Sequence, residues 1–335
     1  MTADSAVRFF AGYEVLSDMA LPALRGSSAA RPQRQQLRIQ RLPSSYPHAN
    51  VSEGWRHAWL NEDGSVALQL AICRARKAGA SKRYLLNFPE QGEFLLDPAS
   101  RSIQIDVPST IPENTIEHLL LDQAIPRLLA GRGHLVVHAS IVRCGTRTVA
   151  FLGRSGWGKS TLAALLHEKG YPAICDDCAL LEPHVEQILA TPSYPGLRLH
   201  TDSIQHTLGS ATAGTVAVSD YSSKQRIIDI GTPAALLDPQ PLAAIYLLGD
   251  PTQAPDLLSI EPINEADACI ALIEHSFRLD PTDPAETVQQ LAHASAVTGT
   301  TPMFTLRYKR DFSRQNEIIE RVLQHQADIA GNHGT

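Results

Sequence analysis

The stretch Gly153-Arg154-Ser155-Gly156-Trp157-Gly158-Lys159-Ser160 constrains the fold of this chain more than any other, because it matches G-x-x-x-x-G-K-[ST] in full. A phosphate chain is gripped by several backbone N–H groups pointing inward, and glycines let the backbone curl around it. A helix that starts at the end of such a loop adds its free N–H groups and the positive end of its dipole. The flanks have the required order. Thr148 to Leu152 is an apolar strand pattern, Ser160 to Leu166 is a helical pattern, and Gly170 is placed to end that helix. The reading is an α/β chain that binds a nucleotide triphosphate on Gly153, Arg154, Ser155, Gly156, Trp157, Gly158, Lys159, Ser160 and Thr161. Lys159 would reach the β- and γ-phosphates, and the Ser160 hydroxyl would bind Mg2+.

Two apolar runs precede the loop, Leu135 to Cys144 and Arg147 to Leu152, split by Gly145-Thr146 as in a hairpin. After the helix, Tyr171 to Cys175 reads as a short strand ending in Asp176-Asp177. Adjacent carboxylates at a strand end suit one metal ligand and one proton acceptor for a hydroxyl substrate. Cys175 and Cys178 bracket that pair as C-x-x-C. With no second pair for a zinc site, they read as two small buried cysteines.

His138-Ala139-Ser140-Ile141-Val142, Gly153 to Ser160 and Asp176-Asp177 together resemble the kinase domain of HPr kinase/phosphorylase, whose core reads H-G-x-x-V, G-x-S-G-x-G-K-S and D-D at similar spacing. The resemblance is strong over residues 134–182 and weaker over 183–310. It is similar in particular to the HPr-kinase-like proteins of peptide-modifying gene clusters, including lasso-peptide tailoring kinases that phosphorylate a C-terminal serine. The resemblance implies a P-loop fold related to phosphoenolpyruvate carboxykinase, ATP and Mg2+ as cofactors, a homo-oligomer, and a peptide or protein carrying an acceptor serine. Carried over by position, it makes Asp176 the general base, Asp177 and Ser160 the metal ligands, Lys159 the phosphate lysine and His138 the histidine beside the base. The family's E-I-R-G-x-G signature is absent. Pro192 to Leu199 stand in its place with no carboxylate. That departure counts against HPr as acceptor and against the reverse, phosphorolytic reaction, and the resemblance to the peptide-tailoring branch favours a lasso-type precursor peptide instead.

Elsewhere the chain is that of an ordinary globular protein: 335 residues, 43% hydrophobic and 19% charged. A net charge of −6 gives no electrostatic case for nucleic acid or an anionic membrane. Five irregularly spaced cysteines and the lack of a signal-like start read as cytoplasmic. Residues 1–110 read as a β-rich domain or lobe, with strands over Val7–Leu16, Gln36–Arg41, Ser65–Cys73, Arg83–Phe88, Glu93–Leu96 and Ser102–Val107. Residues 111–133 read as a linking helix, capped by Thr110 and kinked by Pro126, and residues 134–335 as the kinase domain. Trp55 and Trp59 read as core residues rather than a peptide grip, and the basic run Arg74 to Arg83 as a solvated loop rather than a leader-peptide dock. Gly209 to Ser223 has the composition of a mobile loop, and Lys224 and Arg226, two apart on a strand, share one face. With Arg198, they are candidates to neutralise a transferring phosphoryl group. A small-metabolite kinase and a non-catalytic nucleotide-responsive module are the rival readings.

Overall fold

The computed structural model describes residues 8–24, 35–42, 54–73, 81–207, 215–228, 230–255 and 257–332. Most of the basic run and the first half of the Gly209–Ser223 stretch lie outside these residues. The fold is mixed α/β and divides into two compact units: Met1–His134 with Val218–Ser222 and Phe277–Gln290, and Leu135–Ala217 with Ser223–Ser276 and Leu291–Thr335.

In the first unit, eight strands form one sheet among the described residues. They are β1 (Arg8–Phe10), β2 (Tyr13–Ser17), β3 (Gln36–Arg41), β4 (His57–Leu60), β5 (Val66–Cys73), β6 (Arg83–Phe88), β7 (Gly92–Asp97) and β8 (Ser102–Asp106). Their order is β1-β2-β3-β8-β7-β6-β5-β4. The single strand expected over Val7–Leu16 is in fact the hairpin β1–β2. Ala11 and Gly12 turn the chain with φ of 47° and 80°, the left-handed pair a two-residue hairpin requires. β8 shows why such strands form: Ile103 and Ile105 are buried while Gln104 between them is half-buried. β4 has no counterpart in the expected strands. It carries Trp59 beneath the Arg127 guanidinium at 4.8 Å. Trp55 is 46% exposed, so the core role expected of both tryptophans does not hold for it.

The expected helix is α1 (Glu113–Leu119), a π turn over Leu120–Ala124, and α2 (Ile125–Ala130). Its N-cap is Pro112 rather than Thr110. Pro126 has no N–H to give and its ring crowds the preceding turn, and the helix widens into π geometry just before it. Ile116, Leu119, Leu120, Ala124 and Leu128 are all buried. The Phe277–Gln290 part of this unit holds a fully buried carboxylate, Asp280. It accepts from the Thr282 N–H at 3.0 Å and hydroxyl at 2.7 Å, and pairs with Arg56 at 2.9 Å.

The second unit carries β9 (Leu135–Val137), β10 (Ser140–Cys144), β11 (Arg147–Leu152), α3 (Lys159–Glu168), β12 (Ala173–Cys175), β13 (Ala179–His184), β14 (Gln187–Pro192), β15 (Leu197–His200) and α4 (Thr201–Thr207). Then come β16 (Thr215–Ala217), β17 (Lys224–Ile227), β18 (Gln240–Leu248), β19 (Ser259–Pro262), α5 (Glu265–Glu274), α6 (Pro284–Thr298), whose first half belongs to the other unit, β20 (Met303–Arg307) and α7 (Gln315–Asn332). Among the described residues nine strands make one sheet, ordered β12-β10-β11-β18-β14-β13-β9, with β20 beside β18 and β19 beside β20. β15, β17 and β16 make a small second sheet. β11 is buried on both faces. Ala150 and Leu152 join one apolar cluster, while Val149 and Phe151 join another with Leu162 and Leu166 of α3. Leu135–Cys144 is two strands rather than one. At His138 the backbone N–H donates to the His275 carbonyl at 2.8 Å instead of to a neighbouring strand. β9 therefore pairs with β13, and β10 with β11 and β12. Thr215–Ala217 is a strand on β17, so the stretch Gly209–Ser223 is not loop throughout.

Candidate active site

β12 and β11 are both antiparallel to β10, so both run in the same direction and end at the same edge of the sheet. The glycine-rich loop leaves β11 there, and Asp176-Asp177 leaves β12 there. The parallel neighbours β18 and β20 end there as well. Such an edge is where open α/β sheets hold ligands.

Three glycines shape the loop, with φ of 146° at Gly153, 80° at Gly156 and 104° at Gly158. Gly158 caps α3, and a Cβ there would lie 3.1 Å from the Tyr308 hydroxyl. The side chain of Lys159 is buried and folded back over the loop. Its Nζ donates to the carbonyls of Gly153 at 2.8 Å and Arg154 at 3.2 Å. Burial pushes its pKa down, while Asp177 and Asp176 pull it up. Ser155 and Gly156 are exposed at the loop tip. Arg154 lies 5.8 Å from the Trp157 ring. Thr161 turns away, donating to Ser203 at 3.4 Å.

The two carboxylates have different surroundings. Asp176 accepts from the Ser140 hydroxyl at 2.5 Å, from the Arg198 N–H at 3.0 Å and from the Ser160 hydroxyl. Burial and the neighbouring Asp177 charge push its carboxyl above the usual aspartate range, and the two hydroxyls and Arg198 only partly offset this. For Asp177 burial also acts upward. Arg198, His138 and Lys224 outweigh it and hold the carboxyl well below that range. His138 Nε2 lies 3.1 Å from its Oδ1, and Arg198 Nη1 3.0 Å from its Oδ2, an ion pair that lacks hydrogen-bond alignment. Asp177 has a φ of 75°, an unusual value for a side-chain-bearing residue and one that aspartate tolerates better than most. Cys175 and Cys178 on either side are free thiols, fully buried.

The small sheet supplies the cations. Arg198 on β15 faces Arg226 on β17, and His200 faces Lys224. These four share one face. The other face, Leu197, Leu199 and Ile227, packs into the same apolar cluster as α3. Tyr194 sits between the two arginines, with their guanidinium carbons 5.8 and 5.7 Å from its ring centroid. Arg198 donates to its hydroxyl. Lys224 is near enough to act on both Asp177 and Lys159. The structure thus brings Lys159, Ser160, Asp176, Asp177, His138, Arg198 and Lys224 together. It places Arg226 beside them through Tyr194.

Ser140, Tyr194 and His275 belong to this site and were not singled out from sequence. Ser140 lies inside the His138–Val142 motif, and its position at the start of β10 opposite the loop could have flagged it. His275 closes α5, 98 residues after Asp177, and no local pattern marks it.

No protein-family model matches this chain, and no curated protein matches it. Among solved structures it is similar to an HPr(Ser) kinase/phosphatase from Coxiella burnetii. That likeness has 15% identity and a TM-score of 0.32, and covers 59% of this chain and 94% of the other. No helix among the described residues is long and apolar enough to cross a membrane.

Proposed function

We propose that this protein is an ATP- and Mg2+-dependent phosphotransferase that phosphorylates a serine of a peptide or protein, with a P-loop core of the HPr kinase and phosphoenolpyruvate carboxykinase type. The observation that carries this reading is one constellation. The first-turn serine of the helix after the glycine loop is bonded to Asp176, and the adjacent Asp177 is held between His138 and Arg198.

The donor set fits Mg2+, which favours hard oxygens and takes most of its ligands from water and phosphate. Ser160 and Asp177 would hold it. Among the described residues no cluster of three or more His, Cys, Asp or Glu could hold a metal without such help. When bound, ATP supplies the phosphoryl group and Mg2+ screens its charge. The chain's own residues do the rest. The loop N–H groups and Lys159 orient the phosphates. Asp176, with its raised proton affinity, takes the proton from the acceptor hydroxyl. Asp177 stays ionised, and His138 and Arg198 fix its orientation. Arg198 and Lys224 oppose the charge that builds on the transferring group.

The motif resemblance favours the C-terminal serine of a lasso-type precursor peptide as acceptor. The test is mass spectrometry of such a peptide after incubation with the protein, ATP and Mg2+, with HPr in parallel and Asp176→Asn as control. A phosphate on the terminal serine, reduced about 100-fold or more in the variant, is expected. ATP binding without transfer to either acceptor would overturn the peptide reading in favour of a metabolite kinase or a nucleotide-responsive module.

A further inference from the structure

Arg127 of α2 is a cation that the first unit buries without an acid. It is 7% exposed. Its Nη1 donates back one turn, to the Gln123 carbonyl at 3.1 Å and to the Gln123 side-chain oxygen at 2.8 Å. Two rings lie within cation–π range of its guanidinium carbon, Trp59 of β4 at 4.8 Å and Phe277 at 5.5 Å. Both rings are held in turn. His57 stands edge-on to Trp59 with the ring centroids 4.5 Å apart, and the Phe277 carbonyl accepts from Gln290 Nε2 at 2.8 Å. Arg56 and Arg198 each meet a carboxylate. Among the described residues none acts on Arg127, and burial alone pushes it down to about 10. Its Nε is buried and has no hydrogen-bond partner among the described residues.

The bonds that hold this guanidinium are directional. A guanidinium offers a carboxylate two forked edges, one made by its two terminal nitrogens and one by Nε and Nη2. Both bonds of Nη1 go to Gln123, which anchors one corner and leaves the Nε–Nη2 edge as the fork. Two ring faces and one glutamine replace only part of the water that a guanidinium loses on burial. A planar anion on the fork supplies the remainder through two parallel charge-assisted bonds. With no second cation acting on Arg127, the charge to be matched is a single one, which suits a carboxylate better than a phosphate dianion. Trp59, His57 and Phe277 offer ring surface to the apolar stem that carries it. Trp59, Phe277 and Gln123 are each half-buried, so solvent already touches the walls around the fork, and a ligand enters by turning one of these side chains aside. We propose that Arg127, with Trp59 and Phe277, forms a binding site for a carboxylate, carried on a glutamate side chain of a peptide or on a free dicarboxylate. The site lies wholly in the first unit and does not rest on the nucleotide reading.

Nitrogen-15 correlation NMR of the arginine Nε–H groups in the full chain reads this fork directly. Arg127→Lys, which keeps the charge and loses the fork, identifies the Arg127 signal by its absence. Should that variant not fold, Trp59→Leu identifies the same signal through the lost ring current. Titration of the wild type with N-acetylglutamate methylamide should move the signal and saturate at millimolar ligand, whereas N-acetylglutamine methylamide should leave it in place. Glutarate is the second probe. Movement with glutarate alone assigns the site to free dicarboxylates, and movement with the glutamate derivative assigns it to a peptide side chain. Followed at the Trp59 indole N–H, Arg127→Lys should bind the effective probe about tenfold more weakly than the wild type. A signal that stays in place with both carboxylates, or moves as far with the glutamine derivative, would overturn the site. Larger movement with inorganic phosphate than with either carboxylate would overturn the class of ligand.

Discussion

Each unit of this protein buries a carboxylate against an arginine, and the two pairs are built in different ways. Asp280 of the first unit sits in relaxed backbone, takes hydrogen bonds from Thr282 two residues on, and has Arg56 as a partly exposed partner. Its hydrogen bonds come from one adjoining turn, and its Oδ2 has the Arg56 ion pair and no hydrogen bond, an arrangement that holds a segment in place. Asp177 of the second unit has left-handed backbone, a second carboxylate beside it in the chain, and an arginine as buried as itself. Left-handed backbone and an adjacent like charge set it apart from Asp280, and such features cluster at functional sites. Counting buried ion pairs would treat the two alike; their supports tell them apart.

The largest expected effect breaks the comparison from the side of Asp177. Asp177→Asn keeps the shape and tolerates the left-handed backbone, yet removes the charge that His138 and Arg198 orient. Phosphoryl transfer should fall about 100- to 1000-fold with circular dichroism unchanged. Next comes Asp280→Asn, which should cost about 1–3 kcal/mol in urea denaturation while the folded variant keeps its rate of transfer. Loss of transfer in a folded Asp280→Asn protein would erase the distinction.

The smallest effect is one of pH. The raised Asp176 carboxyl should appear in the profile of kcat/KM as a loss of rate toward acid, with its inflection above 3.8. Asp177 should add stability in the opposite sense. Its carboxyl is depressed in the folded protein, so its contribution is full above the unfolded aspartate value of about 3.9 and is lost as the pH falls through the lower folded value. The stability gap between wild type and Asp177→Asn should therefore be present at pH 7 and close in stronger acid.

The parts of the site legible in the sequence are those whose chemistry is local. The glycine loop, the hairpin before it and the paired aspartates each sit within a few residues, and a turn or a helix start requires those residue types. The β1–β2 hairpin was hidden because Ala11, a residue that rarely adopts positive φ, takes half of the turn next to Gly12. The break at His138 was hidden because its cause is a carbonyl at residue 275. The cationic face of the small sheet was half visible. Lys224 and Arg226 alternate along β17, whereas the register that sets Arg198 opposite Arg226 joins segments 28 residues apart.

The division of the chain also bears on the order in which it is made. Arg56 and its partner Asp280 are separated by 224 residues, and the first unit includes Phe277–Gln290. A ribosome that has released the N-terminal sheet still holds the segment that completes it until most of the protein has been synthesised. The first unit therefore completes its contacts only after its last segment is made, rather than before the second unit emerges. The second unit likewise waits for Leu291–Thr335, which carries β20, and a chain cut at residue 135 would strand Phe277–Gln290 without its partners. Pulse-chase proteolysis of nascent chains should find the N-terminal sheet protected only after residue 290 has cleared the exit tunnel.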